Sequence, residues 1–213
     1  MYHFSRHYFS FKASVLLLAL ALSGCASMGQ SEPAHTYLLE AKFDRVIQPI
    51  PIPLTLIVSQ PRAAPGYETD RMVYVRQPHL LESFAKNHWA ETPARMLSPI
   101  LVNALETLTG YKAVSTAAGA TKGDLRLDSE IIMLRQDFTT APSTLHVVLR
   151  MQLVEQESYR IIATQTFEAS EAAPVDDPKG GVIAANRLLP KLMGQIAEFI
   201  DHQGAALIQL QKK

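Results

Sequence analysis

LRLDSEIIM (residues 125–133) and LHVVLRMQL (residues 145–153) decide the fold. In the first, Leu125, Leu127, Ser129, Ile131 and Met133 alternate with Arg126, Asp128 and Glu130. In the second, Leu145, Val147, Leu149, Met151 and Leu153 alternate with His146, Arg150 and Gln152. Successive side chains of a strand point to opposite faces, so each segment has one apolar face and one wet face. Half-wet strands belong to antiparallel sheets, whereas parallel strands covered on both sides read as near-continuous apolar runs. A shorter run, Tyr159 to Phe167, follows a turn expected at Gln156-Glu157-Ser158.

Outward from these strands the period changes. Leu97, Ile100, Leu101, Ala104, Leu105 and Leu108 recur every three or four residues, the spacing of an amphipathic helix. Thr92 is the expected cap, Pro93 suits the first position and Gly110 a stop, while Pro99 predicts a kink. A second helix, expected from about Gly181, places Ile183, Leu188, Leu192, Ile196 and Ile200 on one side, with a bend at Pro190. It follows a loop, EAAPVDDPKGG (171–181), and is expected to end at Gly204, leaving 204–213 as a weakly helical tail. Toward the N-terminus, Tyr37-Leu38-Leu39, LTLIVS (54–59) and MVYVR (72–76) read as strands, and PRAAPG (61–66) separates the last two. QPIPIP (48–53) reads as an extended lead-in, because proline removes ladder donors. Both helices must hide an apolar stripe, and the sheet offers one apolar face. The expected architecture is α+β: a two-layer sandwich, mainly antiparallel, with two amphipathic helices packed on one face.

The first 24 residues have a different character. MYHFSRHYFSFK carries Arg6 and Lys12 and no acid, ASVLLLALAL is unbroken and apolar, and Ser23-Gly24 precede Cys25, the only cysteine. Basic start, short apolar stretch and small-residue cleavage site define an export signal over residues 1–24. The apolar run is about half the ~20 residues that a spanning helix needs. Leu22-Ser23-Gly24-Cys25 resembles the bacterial lipobox, which implies that Cys25 carries diacylglycerol and becomes an acylated N-terminus. A lone thiol excludes an intramolecular disulfide framework. Ala26 stands where inner-membrane lipoproteins of diderm bacteria usually have Asp, which implies the outer membrane. Residues 25–35 read as the lipidated end and tether, and 36–203 as a single domain.

Without Arg6 and Lys12, the 20 basic residues become 18 against 20 acidic ones, a balance that gives nucleic acid no basic face to bind. No G-x-S-x-G, H-E-x-x-H, C-x-x-C or phosphate-binding glycine loop occurs. His35, His79, His88, His146 and His202 are scattered without metal-ligand spacing, so no metal site and no cofactor beyond the Cys25 lipid is expected. Asp176-Asp177 lacks the spacing of a calcium loop and reads as a solvated turn. Ser59, Ser83 and Ser98 have no histidine adjacent in sequence, and no enzyme is expected. The stretch that stands out is RMVYVRQPHLLESFAKNHWAETPAR (71–95), which sets Tyr74, Phe84 and the single tryptophan, Trp89, among charges. Trp89 suits a hydrophobic staple against the next helix, and the segment from Tyr74 to Trp89 also suits a partner-docking surface.

The order of these motifs resembles the ABC-type transport auxiliary lipoprotein family, the lipoprotein partner of MCE-type lipid transporters. The residues that carry the likeness are the lipobox, Tyr37-Leu38-Leu39, LTLIVSQP, MVYVR, and Trp89-Ala90-Glu91 before a long helix, over roughly residues 36–200. The chain departs from the family pattern at His88, where an arginine is usual, and in the two prolines Pro93 and Pro99. The resemblance implies a periplasm-facing accessory that assists an MCE-domain protein and an ABC permease and ATPase in moving lipids between membranes, alone or as a homo-oligomer. Docking then uses Tyr74, Phe84 and Trp89, or a free sheet edge that adds a partner strand. The alternatives are a structural lipoprotein bracing an envelope or secretion assembly, and a lipid-anchored hydrolase with an unrecognised site.

Overall fold

The computed structural model describes residues 33–44, 50–117 and 122–211. In chain order the elements are β1 (His35–Tyr37), β2 (Ile52–Val58), β3 (Arg62–Ala63), β4 (Arg71–Gln77), β5 (Leu80–Trp89), α1 (Pro93–Leu108), β6 (Tyr111–Thr116), β7 (Leu125–Asp137), β8 (Thr144–Glu155), β9 (Ile161–Ala172) and α2 (Pro178–Gln211). The alternating segments form the spine. β7 and β8 pair antiparallel from Leu125–Glu155 to Asp137–Thr144, and β9 pairs antiparallel with β8 on its far side. The other edge of β7 carries β2, β3 and β4 end to end, all parallel to it. β6 adds in parallel to β2, β5 antiparallel to β4, and β1 in parallel to β5. The sheet is therefore mixed and mostly antiparallel, and the two-layer α+β reading holds.

The period-two pattern of β7 carries one irregularity with consequences. Ile131 faces Leu149, but Met133 faces Val148, so Ile132 is an extra residue in the ladder. A bulge of this kind shifts the inward positions by one. Leu125, Leu127, Ser129 and Ile131 are buried as the alternation predicts; beyond the bulge Leu134 and Gln136 turn inward, and Met133 is only half-buried. On the other face Glu130 lies opposite Arg150 with a 3.6 Å ion pair, and Arg126 holds Asp128 at 2.9 Å.

Both helices cover the apolar side. Leu97, Leu101 and Leu105 of α1 and Leu192, Ile196 and Ile200 of α2 join Leu127, Leu149 and Leu153 of the sheet in one core. Both run unbroken past Pro99 and Pro190. Thr92 sits at the cap of α1, but its hydroxyl makes no capping bond. α2 begins earlier than Gly181. Asp177 accepts the Gly180 N–H at 2.6 Å through its carboxylate, and Pro178 follows as the first residue. Asp177 is thus a helix cap rather than a solvated turn. Its carbonyl also accepts a bond from Gln136 Nε2 (3.1 Å), which donates to Ser143 Oγ as well (2.8 Å). Asp176 closes the same corner by accepting the Ser143 N–H at 2.6 Å, and that bond holds its carboxyl below the usual range.

Gly204 does not end α2, which continues to Gln211. The expected 204–213 tail is helical through that residue because Gly204 serves a close approach. A Cβ there would overlap the Tyr111 hydroxyl, which donates to the Ile200 carbonyl at 2.9 Å. Burial, with Asp201 nearby, pushes the Tyr111 phenol well above its ordinary pKa, so it remains a donor.

Gly204→Ala should therefore lower the urea midpoint, although alanine in a helix interior normally gains about 0.5–1 kcal/mol. In a Tyr111→Phe background, which removes the hydroxyl but keeps the ring carbon Cζ, the same change should cost less; equal effects in both backgrounds would refute the close approach. A carboxyl whose folded pKa is depressed adds stability above its unfolded pKa and loses it as pH falls through the folded value. Asp176→Asn should accordingly flatten the acid limb of the stability profile, measured by urea titration between pH 5 and the acid transition.

Candidate docking surface

Cys25 lies outside the described residues. The other residues singled out by sequence fall on the β4–β5 hairpin, whose turn is Pro78-His79, with His79 in the left-handed region at φ 66°. Tyr74 and Phe84 come together, ring centroids 4.3 Å apart, and Phe138 from the end of β7 meets both edge-on at 5.7 and 6.3 Å. Arg76 grips Glu82 with two bonds, Nε to Oε2 at 3.0 Å and Nη2 to Oε1 at 2.6 Å, and its guanidinium stands 5.3 Å over the Tyr74 ring. That bond from Arg76 is the chief reason the Glu82 carboxyl sits below its ordinary range. The result is an aromatic trio roofed by a neutralised ion pair at the surface. Phe138 was not legible as its third member, because it lies five residues past the alternating run, just beyond the end of β7.

Trp89 is elsewhere. It is 4% exposed and belongs to the core, the last residue of β5. β1 covers it in register, Tyr37 beside Trp89, and the Ala90 N–H closes the pair on the Tyr37 carbonyl at 2.7 Å. Its own N–H donates to the Asp70 carbonyl at 2.7 Å. The ring offers no face to a partner, and its role is packing.

Two other surfaces follow from the topology. β9 pairs only with β8 among the described strands, so its outer backbone groups form a free edge. Beside it runs an open groove of ≈ 650 Å³ between β9 and α2, floored by Phe167 and Phe199 edge-to-face at 5.7 Å and rimmed by Gln165, Glu198 and His202. The centre of the sandwich, by contrast, is filled. Between Leu97, Leu134, Leu149 and Leu189 there is a cavity of only ≈ 10 Å³, no more than a single water needs. Among the described residues no group of three His, Cys, Asp or Glu is placed to hold a metal ion, and no helix is long and apolar enough to cross a membrane.

The chain is thus a filled two-layer sandwich with an exposed β4–β5 hairpin, a free β9 edge among the described strands and the short strand β1 paired to β5. The family of the ABC-type transport auxiliary lipoprotein component matches residues 37–197, and the chain belongs to it. Among solved structures it is similar to a protein from Xanthomonas campestris, with a TM-score of 0.73 at 19% identity over 82% of this chain and 98% of that one. A second, an uncharacterized protein, gives 0.63 at 16% identity over 79% and 99%. At these identities the likeness is one of fold. No curated protein matches the chain.

Truncating Trp89 to Ala should cost about 3–5 kcal/mol, the range for large aromatics removed from a core. Leu80→Ala, at the exposed end of the hairpin, should stay within about 0.5 kcal/mol of the parent. Urea midpoints decide the point, and a Trp89→Ala protein as stable as the parent would contradict the burial.

Proposed function

We propose that this chain is the non-catalytic, lipid-anchored accessory subunit of an ABC transport system of the MCE type, moving lipids between inner and outer membranes. The observation that carries the reading is the family match, which spans nearly the whole folded domain. The geometry supports the adaptor role: the interior is filled, and the ≈ 650 Å³ groove between β9 and α2 is lined mainly by polar residues such as Gln165, Glu198 and His202, whereas a domain that carried lipid would need a mostly apolar concave site of about 300 Å³ or more. On this reading Cys25 holds the acyl chains, palmitate among them, Ala26 favours the outer membrane, and the domain faces the periplasm. The anchor is the only group the protein carries, and permease, ATPase and MCE-domain protein are separate chains.

Of the two docking modes, burial of Trp89 argues against an aromatic patch of Tyr74, Phe84 and Trp89 acting as one surface. The free edge of β9 suits the adaptor better, because a partner strand gains main-chain hydrogen bonds there without any charge matching. Ala173 donates its N–H inward to the Ser143 carbonyl at 2.8 Å, and pairing continues unshifted from Ala172 to Ala163. Alternation along an antiparallel ladder then turns the Thr166 N–H outward. A self-paired β9 edge would give a homo-oligomer by the same bonds.

Affinity capture of the lipidated protein from mild-detergent extracts should bring the MCE-domain chain with it. Thr166→Pro removes one outward donor at a position where an edge strand tolerates proline. It should abolish that capture while circular dichroism stays unchanged. Undiminished capture by a folded Thr166→Pro protein would exclude the edge, and absence of any MCE-domain chain from the parent capture would exclude the transport assignment.

A further inference from the structure

The free edge of β9 is more than unpaired backbone. The Ala173–Ser143 bond and the unshifted ladder beyond it turn the N–H and C=O groups of Thr164, Thr166, Glu168 and Ser170 away from β8. The odd-numbered side chains point to α2: Phe167 meets the Phe199 ring edge-on, and Glu171 holds Lys191 at 3.1 Å. Glu168 therefore stands on the face of the sheet that the helices leave open. The ≈ 650 Å³ groove runs along this same stretch. Gln165 to Glu168 line it from the strand, and Glu198, Phe199 and His202 line it from the helix.

This groove has an aromatic floor and an acidic rim. Its lining contains two carboxylates, Glu168 and Glu198, and neither lysine nor arginine. Other carboxylates of the central hairpins are met by a cation: Glu130 by Arg150 at 3.6 Å, Glu155 by Arg160 at 3.4 Å, Glu171 by Lys191. Glu168 and Glu198 are exposed and have no ion pair among the described residues. Arg150 lies opposite Thr166, one step along the open face, and Glu130 already holds it.

A strand added to β9 lies about 4.8 Å away, and its side chains alternate between the two faces. The residue beside Phe167 then enters the groove, over the Phe199 ring and toward Glu198. Its neighbour, beside Glu168, stands on the open face. A long basic side chain suits both places. In the groove its methylene stem covers the aromatic floor while its cation reaches the rim. On the open face it forms an opposite-charge cross-strand pair. Main-chain bonds give such a site its affinity, and the side-chain positions give it choice. A second copy of β9 supplies no cation, because Ile161–Ala172 holds two glutamates and neither lysine nor arginine.

We propose that the strand docking on β9 carries two adjacent basic residues, one reaching into the groove toward Glu198 and the next pairing with Glu168. The inference rests on the edge-docking reading above and adds to it the chemistry of the partner.

Three short peptides of alternating threonine and valine serve as probes, identical except for a central Lys-Lys, Gln-Gln or Glu-Glu pair. Each is added to the full lipoprotein in mild-detergent micelles. Binding is read by fluorescence anisotropy of the labelled peptide and by hydrogen exchange of the protein. The Lys-Lys peptide should bind about tenfold or more tighter than the Glu-Glu peptide, and the difference should shrink as salt is raised. It should also slow exchange of the outward Thr166 and Glu168 amides. Glu168→Lys combined with Glu198→Lys should reverse the order of the peptides, with circular dichroism unchanged. Glu157→Lys, at the exposed β8–β9 turn, should leave the order as it is. Equal binding by all three peptides, or no binding by the Lys-Lys peptide, overturns the basic partner. So does binding that leaves the Thr166 and Glu168 amides unprotected, the mark of charge attraction without strand pairing. Protection of those amides in the protein alone, rising with its concentration, places a second copy on the edge and overturns it too. None of these readouts uses an MCE-domain chain. Absence of that chain from the affinity capture therefore removes the transport assignment, and the peptides still decide the chemistry of the edge.

Discussion

The pairing of β7 with β8 is the constraint on which the rest of the domain depends. β7 gathers most of the sheet: β8 pairs along one edge, and β2, β3 and β4 pair in succession along the other. A slip of one residue in its register would turn Leu125, Leu127 and Ile131 to the wet face and present Arg126, Asp128 and Glu130 to the helices. The extra residue at Ile132 makes that slip once, deliberately, near the end of the strand. Its product is Gln136, a polar side chain turned inward at 2% exposure. There it bonds to Ser143 at the start of β8 and to the Asp177 carbonyl at the start of α2. One bulge thus joins the end of the central strand to the beginning of the long helix, and Gly181 keeps the helix close enough, since a Cβ there would meet the Gln136 side chain.

The parts of this fold legible in the sequence are those whose surroundings stay constant along the element. β7, β8 and the stripes of α1 and α2 each face one layer throughout, so their period survives. β5 does not. Its first half pairs with β4 and its last residues with β1, with an irregularity between Ser83 and His88, and LLESFAKNHW accordingly shows no clean alternation. The parallel additions of β1, β2 and β6 depend on long-range register that no local pattern carries. Single residues mislead for a related reason. Trp89 stands out by composition, yet its position at the end of a strand that β1 covers makes it core. Gly204 has the signature of a helix stop, but the deciding neighbour is Tyr111, distant in sequence. Asp177 caps a helix whose first turn, Pro-Lys-Gly-Gly, hides its own beginning.

The candidate surfaces were legible in outline only. An aromatic hairpin was recognisable from Tyr74 and Phe84, but its third ring, Phe138, comes from the far end of β7, and its composition does not say which rings face out. The free edge of β9 could be foreseen as a type of site and not as a particular strand, because an edge is a property of sheet order. That order places the two features apart. β9 is one margin of the sheet, while β5 and β1 form the margin beyond β4.

This separation makes the two margins differ in what they offer. Beyond β4, the backbone of β5 is already paired with β1 from Asn87 to Trp89. On the far side, β9 has β8 alone among the described strands, and its outward N–H and C=O groups stand free. Docking an edge requires one direction and one register, so an encounter is productive only where both match. The unshifted ladder from Ala172 to Ala163 supplies such a register, because every second N–H along it points away from β8. On the proposed adaptor reading, that regular stretch is what a partner strand would recognise.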